Sequence, residues 1–248
     1  MTLQGQTWWL VGASEGLGRA LAAQMTKAGA HVIATGRDQT RLNELVADGD
    51  AAEALVGDAT SEASLTQAAA KLPELDGMIW LAGTYWPMKA QDYDTDKVLT
   101  MFDVNTNGLV RVLGVVLPGM VARNKGRIVI TGSLSGYRGL PGSVGYSASK
   151  AAVMHLAEDL HADLRGTGVK VQLAVPGFIK TRLTAKNDFK MPQLMEPEAA
   201  AAEVMELINS TSFSRAFPRP FAWVFRLGNF LPDALYYRLF AKKKQNRT

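Results

Sequence analysis

The 248-residue chain contains no cysteine, so disulfides are excluded and the redox compartment cannot be read from thiol usage. Only three histidines occur, and His31, His155 and His161 stand at no ligand spacing from one another or from acidic neighbours, so no metal site is expected. No linker, low-complexity stretch or repeat beyond alternating strand and helix patterns interrupts the chain. With 47% hydrophobic residues, it can bury the core of a single α/β domain. The carboxyl-terminal stretch does not read as a transmembrane span. The most aromatic stretch, near the carboxyl end, is broken by Arg226, Pro232, Asp233 and Arg238. The opening Met1–Thr7 lacks a basic and apolar signal region, which makes the cytoplasm the default location. A net charge of +4 is too modest for a nucleic-acid signature.

What is present is a regular alternation. Apolar, strand-like runs at Thr7–Val11, His31–Thr35, Ala52–Val56, Met78–Leu81, Arg127–Thr131 and Val169–Val175 are separated by helical stretches. This pattern predicts a parallel sheet with helices on both faces. The first run leads straight into Gly12-Ala-Ser-Glu-Gly16-Leu-Gly18, and then into a helix closed by Gly29. Strand, glycine-rich turn and helix are the parts of a dinucleotide site, in which backbone N–H groups and the helix N-terminus meet a pyrophosphate. After the second run, Gly36 holds the place expected for an acid that would take ribose hydroxyls, and Arg37 follows it. An arginine fork suits a 2′-phosphate, so NADP(H) is expected in preference to NAD(H). Asp38 reads as the cap of the next helix.

The most informative pair is Tyr146 and Lys150 in Gly145-Tyr-Ser-Ala-Ser-Lys150. On a helix, positions i and i+4 share a face. An ammonium beside a phenol is expected to favour the phenolate and lower its pKa toward the range of useful acid–base catalysis. Ser133, at the end of an apolar strand, offers a hydroxyl to a substrate oxygen.

These residues together resemble the short-chain dehydrogenase/reductase family, in its compact form of about 250 residues. The likeness runs from about Thr7 to about Asn209. Gly12, Gly16 and Gly18 match its glycine motif, and the turn they frame would place Ser14 and Leu17 at the cofactor. Asp58 matches the aspartate that contacts adenine, and Ala82-Gly83 match the end of the Asn-Asn-Ala-Gly motif. Asn105 matches the asparagine that helps hold a proton-relay water. Ser133, Tyr146 and Lys150 match the catalytic trio. Pro176-Gly177, Ile179 and Thr181 match the segment that grips the nicotinamide end. The resemblance implies a Rossmann-like, doubly wound parallel sheet of about seven strands, and NADP(H)-dependent interconversion of a carbonyl and its alcohol. It also implies a homodimer or homotetramer, built on the helices around Val104–Arg123 and Ser143–Arg165. Val11 stands where the family has threonine, and Trp80-Leu81 replace two asparagines. An apolar repacking of Val11 against Leu81 is the expected compensation.

The carboxyl end departs from a compact family member. Residues 1–211 read as the cofactor-binding and catalytic domain, and residues 212–248 as an extension. Ser212–Pro218 suit a short last strand. Phe221–Leu231 and Asp233–Phe240 suit two amphipathic helices, followed by Lys242, Lys243 and Lys244. Three readings stay open for this extension: a packed lid or dimer contact, peripheral membrane attachment through residues 221–244, or helices that both touch the bilayer and admit a lipophilic substrate. Phe178, Phe189, Met191 and Met195 make the loop after Pro176 apolar, which points to a small hydrophobic carbonyl or alcohol as substrate. The competing class is a non-catalytic NADP(H)-binding regulatory or scaffold protein, favoured by the altered Trp80-Leu81 pair. The intact Ser133, Tyr146, Lys150 and Asn105 argue against it.

Overall fold

The computed structural model describes residues 3–240. Seven strands form one parallel sheet: β1 (Thr7–Val11), β2 (His31–Gly36), β3 (Glu53–Val56), β4 (Gly77–Trp80), β5 (Gly126–Thr131), β6 (Val169–Pro176) and β7 (Ser214–Phe217). Their spatial order is β3-β2-β1-β4-β5-β6-β7, so the chain reverses direction across the sheet between β1 and β4. That reversal opens a crevice beyond the carboxyl ends of the central strands, where a doubly wound sheet takes its ligand. The six strand-like runs of the sequence all appear within a residue of their expected ends, and β7 lies within Ser212–Pro218.

Both faces of the sheet are covered because its strands are apolar on both faces. Trp8 and Leu10 pack with Ile79 and Val129 beneath α1 (Gly16–Lys27), α2 (Gln39–Ala47) and α7 (Pro197–Ile208). Trp9 and Val11 pack with Trp80 and Ile130 beneath α3 (Glu62–Ala69), α5 (Gly108–Ala122) and α6 (Tyr146–Asp163). Burying 150–250 Å² per indole, at roughly 25 cal/mol per Å², makes each of these adjacent tryptophans worth roughly 4–6 kcal/mol of transfer free energy. Local chemistry sets the helix ends. The Asp38 carboxylate caps α2 by accepting from the Arg41 N–H at 3.2 Å, as expected. Past α1, Gly29 adopts φ +90° while Ala30 N–H returns to the Met25 carbonyl.

One expectation about the sheet fails. Val11 and Leu81 do not repack against each other. The Leu81 and Ala82 N–H groups both donate to the Val11 carbonyl, at 2.8 and 2.9 Å, so the junction is made by backbone. Side chains alternate across the sheet, and Val11 falls in the cluster of its register partner Trp80 while Leu81 packs on the opposite face.

α4 (Thr95–Phe102) runs through a π-helical turn, Asp103–Asn107, into α5. By length and composition alone Thr95–Ala122 could cross a membrane. Here Val104, Leu109, Val112 and Val116 are buried in this fold. The two expected C-terminal helices are α8 (Arg219–Gly228) and α9 (Asp233–Phe240). Lys242, Lys243 and Lys244 lie outside the described residues.

One buried polar pair tests this packing. The Trp9 indole N–H donates to Thr35 Oγ1 at 2.8 Å, and both residues are fully buried. Thr35→Val keeps the shape and orphans the indole N–H. We expect a loss of about 1–3 kcal/mol, read as a lower urea midpoint at unchanged m-value.

Candidate active site

Every site residue expected from sequence lies at or just past the carboxyl end of a strand, or on the turn and helix that follow it. The glycine turn follows β1, Arg37 follows β2, Asp58 follows β3, and Ala82-Gly83 follow β4. Ser133 follows β5, Tyr146 and Lys150 lie on α6, and Pro176, Gly177, Ile179 and Thr181 end or follow β6. The sheet order divides them. Arg37 and Asp58 stand on the β2–β3 side of the crevice, and Ser133, Tyr146 and Lys150 on the β5 side, with the glycine turn between.

The turn is shaped by close approach. Gly12 has φ +96°, and a Cβ there would overlap the backbone of Ala82, which locks the β1 turn to the β4 turn. A Cβ on Gly16 would meet the Thr181 methyl at 2.8 Å, bringing the segment after β6 over the turn. Ser14 lies against Gly36 at the end of β2, and Leu17 and Gly18 are buried in the first turn of α1. No side chain caps α1: its N-cap residue, Glu15, makes no capping bond, and the first turn holds no acid. Free N–H groups and a positive helix end therefore face the crevice, which is what a pyrophosphate requires.

On the β5 side, Lys150 is buried and donates one hydrogen bond, to the Thr131 carbonyl at 3.0 Å. Its ammonium lies about where a Cβ on Gly83 would come within 3.8 Å. Buried Asn105 sits in the π-helical turn between α4 and α5, a distortion often found at functional positions. Its amide accepts from Thr84 N–H at 2.7 Å and donates to the Thr84 carbonyl at 3.0 Å and to Ser149 Oγ at 2.9 Å. Ser149 Oγ donates in turn to the Tyr146 carbonyl at 2.8 Å. The Asn105 side chain is thus a clasp joining the β4 turn to α6. Ser133 caps the short Leu134–Gly136 turn, accepting from Ser135 N–H and Ser135 Oγ.

Several residues that shape the site carried no signal in the sequence. Glu15 binds Arg41 at 2.8 Å on one oxygen and Arg182 at 2.6 Å on the other, tying the glycine turn to α2 and to the segment after β6. Tyr85 meets the Tyr146 ring edge-on at 4.9 Å between centroids, and its hydroxyl donates to Asn187 Oδ1 at 2.9 Å. The segment 178–195 is therefore pinned from both sides. Phe178 in this segment contacts Phe189 and, from α8, Phe221, each at 5.8 Å. Arg138 fastens the C-terminal helices beside this wall. It donates to the Gly228 and Leu231 carbonyls at 2.8 Å, pairs with Asp233 and lies over the Tyr236 ring. The position of Tyr85, two residues after Gly83, was the one available clue to its role. The ionic and arginine contacts pair residues far apart in the chain, which no local pattern reveals.

The short chain dehydrogenase family profile matches residues 6–191, three quarters of the chain. The chain belongs to that family. It is 37% identical over 240 residues to an uncharacterized oxidoreductase of Myxococcus xanthus, covering 93% of this chain and 94% of the relative. It is 34% identical to a 2-keto-3-deoxy-L-fuconate dehydrogenase of Xanthomonas campestris, covering 72% of this chain and 60% of that one. Among solved structures, a serine dehydrogenase in a closed form with NADP+ superposes with a TM-score of 0.78 at 27% identity, over 85% of this chain and 94% of that one. The protein is accordingly an oxidoreductase with the Rossmann-like fold of its family.

The electrostatics of this oxidoreductase correct one expectation. Lys150 does not lower the Tyr146 pKa. Burial pushes the phenol up to about 12, opposed by the Ser133 side chain and reinforced by Tyr85. Burial likewise pushes the Lys150 ammonium down to about 8. Each shift is toward the neutral form, because desolvation outweighs any attraction between phenolate and ammonium. Asp58 is held below the ordinary carboxylate range. Burial acts to raise it, and the two hydrogen bonds from Thr60 and the charges of Arg37 and Arg111 overcome that. Among the described residues no cluster of three or more histidine, aspartate or glutamate side chains could hold a metal. His31 pairs with Glu53, and His161 stacks on Phe213.

The lysine shift has a measurable sign. Between about pH 8 and the ordinary lysine value, the unfolded chain binds a proton at Lys150 that the folded protein has released. Stability therefore rises with pH over that interval. Urea titrations from pH 8 to 10 should show the wild type gaining stability relative to Lys150→Met, in which other titrations cancel.

Proposed function

We propose that the protein is an NADP(H)-dependent oxidoreductase that interconverts a hydrophobic carbonyl and its alcohol, with Tyr146 as the proton-transferring group. The observation that carries this reading is the convergence of Ser133, Tyr146, Lys150 and Asn105 beside an uncapped helix N-terminus at the sheet reversal. The residues fit a dinucleotide. The glycine turn and the first N–H groups of α1 would hold its pyrophosphate, and Asp58 its adenine. Exposed Arg37 would take the 2′-phosphate, while Arg41 is already committed to Glu15 and Asp38. Lys150 commits one of its three N–H donors to Thr131, so two are left for ribose hydroxyls. Ile179 and Thr181 would border the nicotinamide end, with Pro176 and Gly177. The NADP+ complex of the serine dehydrogenase relative agrees with this choice of cofactor.

A bound NADPH would supply the hydride and, once oxidised, a positive ring beside the phenol. In the reducing direction Ser133 hydrogen-bonds the substrate oxygen and Tyr146 protonates it. A phenol with a pKa near 12 is fully protonated at neutral pH, which suits it to that step. Lys150, with a pKa near 8, can return a proton to the tyrosine. Asn105 holds α6 and the β4 turn at fixed separation through Thr84 and Ser149. A relay water would use its backbone carbonyl or the remaining lone pair of Oδ1. Two of the relatives are named for polar substrates, 2-keto-3-deoxy-L-fuconate and serine. An apolar one is favoured here by Tyr85, whose ring meets Tyr146, by Trp86 in the same apolar cluster as Tyr146, and by Phe178 and Phe189, which pair in the segment after β6. A homodimer or homotetramer through α4–α5 and α6 belongs to the same proposal, as does the division at residue 211 into catalytic domain and extension. So does a cytoplasmic setting.

Two experiments test the reading. Tyr146→Phe should bind NADPH as the wild type does, by fluorescence titration, and lose at least about 10²-fold in carbonyl reduction. Retained turnover would remove Tyr146 from the mechanism. Arg37→Ala should weaken NADPH binding about 10- to 100-fold, the size of a charge-assisted contact, and leave NADH binding unchanged. Equal loss for both cofactors would mean that Arg37 does not read the 2′-phosphate.

A further inference from the structure

We propose that the outer faces of α8 and α9 form a docking surface for an anionic phospholipid bilayer. This inference concerns where the protein sits and does not depend on the proposed reaction.

The two helices divide their side chains sharply. α8 turns Ala222, Phe225 and Gly228 inward. Trp223, Leu227 and Phe230, at i, i+4 and i+7, lie along the opposite stripe. Phe230 is 86% exposed and Leu227 58%. On α9, Leu235 and Leu239 stand one turn apart, 52% and 65% exposed. Seven of the fifteen exposed large hydrophobic residues fall within Arg219–Phe240, less than a tenth of the described chain. Contiguous apolar surface of this kind marks an interaction site. A tryptophan and a phenylalanine at its crest suit the boundary between headgroups and acyl chains.

Charge selects the occupant. From residue 212 onward the sequence holds eight basic residues and one acid, leaving nineteen basic and twenty-two acidic residues in the remainder. The extension is strongly positive and the body is negative. At the foot of the apolar stripe, Arg219 and Arg226 line a cleft of about 310 Å³ between β7 and α8, with Ser214 and Trp223. Arg215 in the same cleft is neutralised by Glu203 and Glu206. Among the described residues, Arg219 and Arg226 form no ion pair, and Arg226 lies 5.7 Å from the Trp223 ring. Free guanidinium groups beside an apolar crest match the phosphate and acyl layers of an anionic leaflet. A second copy is a poorer occupant, because a two-fold contact would set this positive patch against itself.

Vesicle flotation tests the surface. Wild-type protein should float with phosphatidylcholine vesicles containing phosphatidylserine, not with pure phosphatidylcholine, and high salt should release it. The triple variant Trp223→Ser, Leu227→Ser, Phe230→Ser changes only exposed positions and should abolish flotation. Arg219→Gln with Arg226→Gln should lower the partition coefficient about thirtyfold, from roughly 1 kcal/mol per charge. Failure of the wild type to float with the anionic vesicles overturns the proposal, as does flotation of the triple variant at the wild-type level. If the wild type does not float and the triple variant shows a smaller mass by light scattering, the face is a subunit contact and the proposal falls. NADPH titration of the same samples reports the cofactor site separately, so a negative result here leaves the proposed activity standing.

Discussion

An ammonium group held inside the protein by one carbonyl, Lys150 on Thr131 at 3.0 Å, constrains everything built around it. Desolvating a charge costs several kcal/mol, and one hydrogen bond to a neutral group does not return that. The difference is carried by packing. Val153, Met154 and Ala157 press α6 onto β5 and β6, and Gly132 and Gly136 give Met154 the room to do so. Once α6 is fixed at Lys150, the rest of the site has no freedom. Tyr146 falls one turn earlier, Ser149 meets Asn105, and Asn105 reaches back to the turn beyond β4. Sliding α6 by one residue would break the Lys150–Thr131 and Asn105–Ser149 contacts and leave Asn105 with Thr84 as its only side-chain hydrogen-bond partner.

Those parts of the fold that depend on local chemistry were legible in the sequence. The six strand runs, the Asp38 cap, the Gly29 stop and the glycine turn each follow from residues within a few positions of one another. Tyr146 and Lys150 shared a face because a helix puts i and i+4 together. The failures have a common cause, which is distance along the chain. Glu15 with Arg182 and Tyr85 with Asn187 join segments more than a hundred residues apart. Val11 and Leu81 were paired on apolar character alone, and strand alternation sends them to opposite faces. The tyrosine expectation erred differently. It counted a neighbouring charge and left out the burial that both groups share, and burial is the larger effect.

The C-terminal extension follows the same division between local and distant control. Its helices read clearly from their periodicity, but their inward and outward faces could not be assigned until Arg138 was seen to fasten them. That one side chain binds two carbonyls, an acid and an aromatic ring. It follows Ser133 by five residues, so the anchor of the extension belongs to the same loop as the candidate catalytic serine.

Phe221 is where these two parts of the molecule meet. From the inner side of α8 it touches Phe225 at 5.0 Å between ring centroids and Phe178 at 5.8 Å, and Phe178 in turn touches Phe189. Interlocked rings do not shift independently, since moving one opens a gap that its neighbours must fill or leave empty. A contact on α8 that displaces Phe221 therefore changes the free energy of the loop carrying Phe178. By reciprocity, a ligand that displaced that loop would change the affinity of α8 for a partner by the same factor. The aromatic row is a mechanical link between an outward-facing helix and the segment that follows β6.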